Sequence, residues 1–172
     1  MKIIEALKNL KTIQKRMEKN CAEITQYCAY VNTETPAFET EEKQRTEVAQ
    51  RIQANMDLEA EYLRLKKAIE TTNLNIKITI GSRTYTITEL ISIKRVLGKY
   101  HAATYSALNP NAAMTRLNEV FRKGIDGTNP ARVVVLYKEE EKNKQLRDWE
   151  DFMSQIDGKL EVLNAETELQ GY

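Results

Sequence analysis

One histidine, two cysteines, six glycines and three prolines are all that 172 residues offer of the types that build metal centres, disulfide frameworks and tight turns. A single imidazole, His101, excludes the usual multi-histidine metal site. Cys21 and Cys28, seven apart on a helix, would lie about 10.5 Å apart along its axis, beyond disulfide reach. They are expected to be reduced, buried, small apolar residues, a state that suits synthesis in a reducing cytoplasm. With so few Gly and Pro, loops should be few. Long apolar runs are missing too. The longest, Val133-Val134-Val135-Leu136-Tyr137, is far short of the roughly 18 residues a membrane-spanning helix needs. The opening Met1-Lys2-Ile3-Ile4-Glu5 meets charge too early for a secretion signal. Neither sign of charge dominates: 26 Lys and Arg face 25 Asp and Glu, a net charge of +1. The basic pairs Lys66-Lys67 and Arg122-Lys123 have acidic neighbours, so no nucleic-acid partner is expected. No membrane partner is expected either.

Catalytic patterns are also missing. No Gly-x-Gly-x-x-Gly or phosphate-loop spacing occurs. Lys123-Gly124-Ile125-Asp126-Gly127 lacks the ligand spacing of a calcium loop. Ser82, Ser92, Ser106 and Ser154 have no nucleophile-elbow context. Asp148 and Asp151 are the kind of carboxylate pair found on any charged helix, and general acid–base work needs a desolvated cleft. His101 reads as a surface or helix-end residue. No catalytic, cofactor-binding or metal-ligating residue is expected, and the chain is expected not to be an enzyme.

What is present is helical periodicity. Ile3, Leu7, Leu10, Gln14, Met17, Cys21, Ile24, Cys28 and Val31 alternate in steps of four and three, the a/d seam of a coiled coil. The seam serves either an intramolecular hairpin, for which the next segment supplies a partner, or the joining of subunits. Gln14 is its one polar member, and such a residue can fix register at some cost in stability. After a break at residues 32–35, Thr35-Pro36 has the form of an N-cap with Pro at the first helical position, and Thr40 offers a later start. Glu39, Glu41 and Glu42 suit a helix N-terminus. The second helix carries Val48, Ile52, Met56, Leu58, Tyr62, Leu65 and Ile69. Its four-three spacing is clean from Leu58 and drifts before it, with a stutter near Asn55-Met56. Two helices of similar length and a short loop predict an antiparallel hairpin over residues 1–73.

Between Asn75 and Thr88 the period changes to two. Gly81-Ser82 is a two-residue loop with Gly first, which suits a type II′ turn. That turn sets Ile80 opposite Arg83, Ile78 opposite Tyr85 and Ile76 opposite Ile87, with Lys77, Thr79, Thr84 and Thr86 on the other face. An isolated two-stranded hairpin is marginal in water. Its apolar face must therefore pack on the chain's own helices or on a neighbouring subunit. Thr86 and Glu89 have capping-box spacing for a following helix that reaches Ala107. Residues 108–129 read as irregular: Asn109-Pro110-Asn111 and Gly124-Ile125-Asp126-Gly127 are turn signals, and Leu117 to Ile125 fits a short strand or a frayed helix. Asn129-Pro130 repeats the cap-and-Pro start. Val133-Val134-Val135 favours strand by propensity, but that start and the helical stretch downstream predict one helix over 130–167. Its seam is Trp149, Met153, Ile156, Leu160 and Leu163, widened by Phe152.

Three stretches resemble a family of small bacterial and phage-encoded proteins often labelled septicolysin-like. They are Met1-Lys2-Ile3-Ile4-Glu5-Ala6-Leu7 with Leu10-Lys11 and Gln14-Lys15-Arg16; Ile69-Glu70-Thr71-Thr72-Asn73 with Gly81 to Leu90; and Ile156-Asp157-Gly158-Lys159-Leu160 with Asn164 to Leu169. The resemblance implies a helical fold with a small β-hairpin, a tendency to oligomerise and no established catalytic residues. The label itself implies a pore-forming or membrane-active protein. Each strand of the Asn75–Thr88 hairpin offers about six residues, against the 9 to 11 that a membrane strand requires.

The expected protein is thus one mainly α domain: a long antiparallel coiled-coil hairpin, further helices and a β-hairpin inserted at about 75–87. The expected function is a self-assembling structural protein, a homo-oligomer made in the cytoplasm and built with other virion proteins into a phage or prophage particle. The alternatives are a septicolysin-like membrane-active protein and a cytoplasmic coiled-coil adaptor. Ile76, Ile78, Ile80, Tyr85, Ile87, Gln14 and Trp149 are the expected interaction residues.

Overall fold

The heptad pattern of the first seventy residues becomes two long helices in the computed structural model, which describes residues 1–122 and 131–172. Helix α1 spans Ile3–Tyr27 and α2 spans Glu41–Asn75. The two run antiparallel: Asn20 meets Asn55, Glu23 meets Arg51, and the Tyr27 carbonyl meets Gln44. Of the two starts the sequence offered, α2 takes the later. Thr40 is extended and its side chain accepts from the Lys43 N–H at 3.3 Å, with Glu41 and Glu42 in the first turn. The chain turns just before it at Glu39, a non-glycine residue with φ of 71°.

The chain divides into two compact units, one of Met1–Ile78, Thr86–Thr88 and Leu160–Tyr172, the other of Thr79–Tyr85 and Glu89–Lys159. In the first, Ala6, Leu10, Ile13, Leu65 and Ile69 form the core, with Met17, Leu58, Tyr62 and Leu169 packed against it. The line that α1 buries is therefore Ile3, Ala6, Leu10, Ile13, Met17, Asn20, Ile24 and Tyr27. It shares Ile3, Leu10, Met17 and Ile24 with the expected seam but takes the residue before Leu7, Gln14, Cys21 and Cys28 each time. Those four are exposed. Gln14 is thus not a seam residue, and both cysteines are free and exposed rather than buried. The reason is geometric: both lines fit the four-three spacing, and spacing alone does not say on which flank the partner helix lies.

The chain's end closes on its beginning within this unit. Lys2 and Glu168 form an isolated antiparallel bridge. The Leu169 N–H donates to the Met1 carbonyl and the Ile3 N–H to the Thr167 carbonyl. The Met1 ammonium donates to Glu168 Oε2 at 2.7 Å. The Gln170 N–H donates to the buried Thr72 hydroxyl, which itself donates to the Ala68 carbonyl.

Strands β1 (Lys77–Ile80) and β2 (Arg83–Thr86) form a two-stranded sheet. Gly81 has φ of 60° and Ser82 is not among the positive-φ residues, the signature of the type II′ loop. The Thr79 and Thr84 hydroxyls lie 3.1 Å apart, as the expected register requires. The expected pairing of Ile76 with Ile87 does not form. Ile76 caps α2, its N–H donating to the Thr72 carbonyl, and Ile87 already opens helix α3 (Ile87–Ser92).

The second unit continues α3 through a π-helical turn, Ile93–Leu97, into α4, Gly98–Ser106. The Gly98 N–H reaches the Ile93 carbonyl, five residues back. Residues 108–129 are not irregular throughout, since α5 spans Asn111–Arg122. It starts where the Asn109 side chain accepts from the Asn111 N–H at 3.2 Å. The C-terminal helix α6 runs Glu139–Glu166, not from 130. Residues 131–136 are neither helix nor strand. Three consecutive β-branched valines disfavour helix, whereas Glu139, Glu140 and Glu141 fit the first turn of one. The Gly124–Gly127 turn signal and the Asn129-Pro130 start lie outside the described residues. Among the described residues no helix is long and apolar enough to cross a membrane.

Candidate interaction surfaces

The four residues that fell outside the buried line of α1 continue a second line. Leu7, Gln14, Cys21 and Cys28 follow the same seven-residue repeat on the neighbouring flank, with Ile4 beside them, and all are exposed. On α2, Ile52, Met56 and Leu63, four and seven residues apart, are exposed on one flank as well. Asn55 ties the two lines together: its amide contacts Cys21 Sγ at 3.4 Å, and Cys21 and Met56 are its neighbours on the two lines. A helix that exposes apolar residues beside its buried line has a second flank on which a partner can rest, as in a bundle.

The second unit holds a groove of about 510 Å³. Its walls are β2, through Arg83 and Tyr85, the π-helical turn, through Ile93 and Leu97, and α6, through Trp149 and Phe152. Arg83 and Tyr85 stand two apart and so share a face of the strand. Tyr85 contacts Phe152, and Phe152 contacts Trp149, at centroid distances of 6.0 and 5.5 Å. His101 lies among these lining residues and stacks on Trp149 at 3.9 Å and 14°. It is a half-buried packing residue, not the surface or helix-end residue the sequence suggested. Its Nε2 is buried and has no hydrogen-bond partner among the described residues. Gln145 and the exposed Asp148 complete the rim on α6.

The expected interaction residues are thus dispersed. Ile78, Ile80 and Ile87 are buried, Ile76 and Tyr85 half-buried, and Gln14 exposed. Only Ile80, Tyr85 and Trp149 line the groove. The outer flank of α2 and the place of His101 were missed; the drift of spacing before Leu58 was the available signal for the first. Among the described residues no cluster of three or more His, Cys, Asp or Glu is placed to hold a metal ion. No family model, curated protein or solved structure significantly matches the chain.

Proposed function

We propose that this chain is a non-enzymatic structural protein that assembles with copies of itself, as a component of a phage or prophage particle. The observation that carries self-assembly is the exposed flank of the helical hairpin, where Leu7 and Cys21 on α1, Cys28 at its C-cap, and Ile52, Met56 and Leu63 on α2 lie around the polar Gln14. Exposed apolar residues that recur on one flank of a helix cost solubility unless another surface covers them. A second hairpin is a suitable cover because its flank offers the same apolar residues between charges of both signs, Lys11 and Glu18 on α1, Glu59 and Lys66 on α2. The particle assignment rests on the resemblance to phage-encoded proteins.

Light scattering coupled to size exclusion tests assembly. The native chain should elute as an oligomer, and the Met56→Glu/Leu63→Glu variant should shift to a smaller species with unchanged helicity. A monomer throughout the micromolar range would sink the proposal. Detection of the chain in purified particles from its host tests the assignment to a virion. Leakage of liposomes at micromolar protein would favour the membrane-active reading in its place.

A further inference from the structure

Residues 167–172 lie in a specific seat on the first unit. The Ile3 N–H donates to the Thr167 carbonyl at 3.0 Å and the Leu169 N–H to the Met1 carbonyl at 2.9 Å. Leu169 itself packs on the apolar cluster of α1 and α2. The Gln170 N–H donates to the hydroxyl of Thr72, a fully buried side chain, and the Asn75 amide donates to Gln170 Oε1 at 2.7 Å. The Arg64 guanidinium lies 4.7 Å from the centre of the Tyr172 ring. Thr167 and Leu169 are half-buried and Glu168 and Gln170 exposed, the alternation of a strand laid along a surface. The helix that delivers this segment has a weak point. Gly158 stands inside α6, where glycine lowers helix stability. Space does not require it, because a Cβ there would meet nothing within 4 Å. Within two residues, between Lys159 and Leu160, the chain passes from the second unit to the first.

We propose that Leu160–Tyr172 is an exchangeable arm: α6 bends at Gly158, and the arm of one copy fills the seat on α1 and α2 of another. The occupant is a second copy because the seat already holds this very sequence, through its backbone, the Leu169 side chain and the Gln170 amide. Exchange breaks these bonds in one copy and re-forms the same bonds in the other. Its net cost is confined to the bend and to bringing two chains together. A glycine is one of the places where a helix bends. Copies already held together by the hairpin flank would present a neighbouring seat at high effective concentration, so that it competes with the arm's own. Reciprocal exchange, arm for arm, closes a two-fold pair. The inference rests on the self-assembly reading and adds to it a contact separate from that flank.

Single thiols read the exchange in the full-length chain. In a background of Cys21→Ser and Cys28→Ser, a chain with Asn75→Cys is co-expressed with a chain with Gln170→Cys. These two side chains meet where an arm sits in its seat. Each chain carries one thiol, so a short bis-maleimide can join residues 75 and 170 only across copies, and mass spectrometry identifies the joined pair. At micromolar protein that pair should exceed, by about tenfold or more, the collisional pair formed by Glu34→Cys with Gln170→Cys; the exposed Glu34 makes no contact with the arm. Gly158→Ala should raise the melting temperature and lower the 75–170 pair about fivefold, because alanine resists the bend. A glycine without a hinge role would raise the melting temperature alone, and an unchanged 75–170 pair in Gly158→Ala would overturn the exchange as drawn. A 75–170 pair no more frequent than the collisional one, in a native chain that light scattering shows to be oligomeric, would overturn it while leaving assembly through the hairpin flank standing. A monomeric native chain would remove both.

Discussion

The two halves of the α1–α2 hairpin are held by different chemistry. Near its base, Ala6, Leu10 and Ile13 form an apolar cluster with Leu65 and Ile69. Toward the tip polar groups join the contact: Asn20 with Asn55, Glu23 with Arg51, and the Tyr27 carbonyl with Gln44. Arg51 joins Glu23 to Glu47 and lies over the rings of Tyr27 and Phe38. Burial at the base is non-directional and tolerates sliding along the helix, whereas paired amides and carboxylates match in one alignment only. The base thus supplies stability and the tip supplies register.

The largest effect should come from the base. Leu65 is fully buried at 0% exposure within the apolar cluster. Leu65→Ala should cost about 2.5–4 kcal/mol, the sum of lost transfer energy and the cavity left behind. Urea denaturation measures it, and a cost below about 1 kcal/mol would show that the base is not the stabilising half.

Gln44 is the corresponding test of the tip. It is 5% exposed, donates to the Tyr27 carbonyl at 2.8 Å and accepts from the Ala37 N–H at 2.8 Å. Tyr27 ends α1, so its carbonyl has no partner within the helix. Gln44→Leu keeps the volume and removes both bonds. The expected cost is about 1–3 kcal/mol, with faster hydrogen exchange at the Ala37 amide and no change at Leu65. Equal acceleration at both would mean that the halves open as one.

Asn20 and Asn55 should separate stability from register. Asn55→Leu alone leaves the Asn20 amide without its 2.9 Å partner and should destabilise by about 1–2 kcal/mol. Replacing both by Leu should raise the melting temperature above that of the native chain, because an apolar pair suits the seam better. The double variant should also show more than one alignment of α1 on α2 by cysteine crosslinking. A single alignment would place the register elsewhere.

These polar contacts explain what the sequence could and could not say. Ile3, Leu10, Met17 and Ile24 were legible because they belong to either reading of the heptad. The rest of the line was not, since Leu7 and Cys21 are more apolar than Ala6 and Asn20, and apolarity was the only guide. The drift of α2 before Leu58 was a true signal: it marks where the seam turns polar. Gln44 between Lys43 and Arg45 has no local mark, because its two partners come from α1 and from the loop. The β-hairpin was legible almost to the residue, since Gly81-Ser82 fixes both turn and register. Only its Ile76 and Ile87 ends were claimed by the flanking helices. The groove was not legible, because His101, Trp149 and Tyr85 are brought together from three separate elements.

The smallest effect distinguishes base from tip by pH. At the tip, the hydrogen bond from Arg51 holds the Glu23 carboxyl below its ordinary value of 4.5. The stabilisation it gives is complete above that ordinary value and is lost as pH falls through the lowered one. Arg51 stays charged across the accessible range, so the tip has an acid limit and no alkaline one. At the base, the Met1 ammonium holds Glu168 low in the same way, and the hydrogen bond to Glu168 raises the ammonium above its ordinary 8.0. That second contribution is complete below the ordinary value and is lost as pH rises through the raised one, so the terminal clamp has limits on both sides. Methyl spectra follow the two separately. Between pH 7 and 10 the Leu169 methyls should move with a midpoint above 8.0, because Leu169 is bonded to Met1 and packs on the basal cluster. The Ile24 methyls should move in acid, as the adjacent Glu23 takes up its proton. A Leu169 signal that ignores alkali would show that the backbone bonds of the clamp hold without the ion pair.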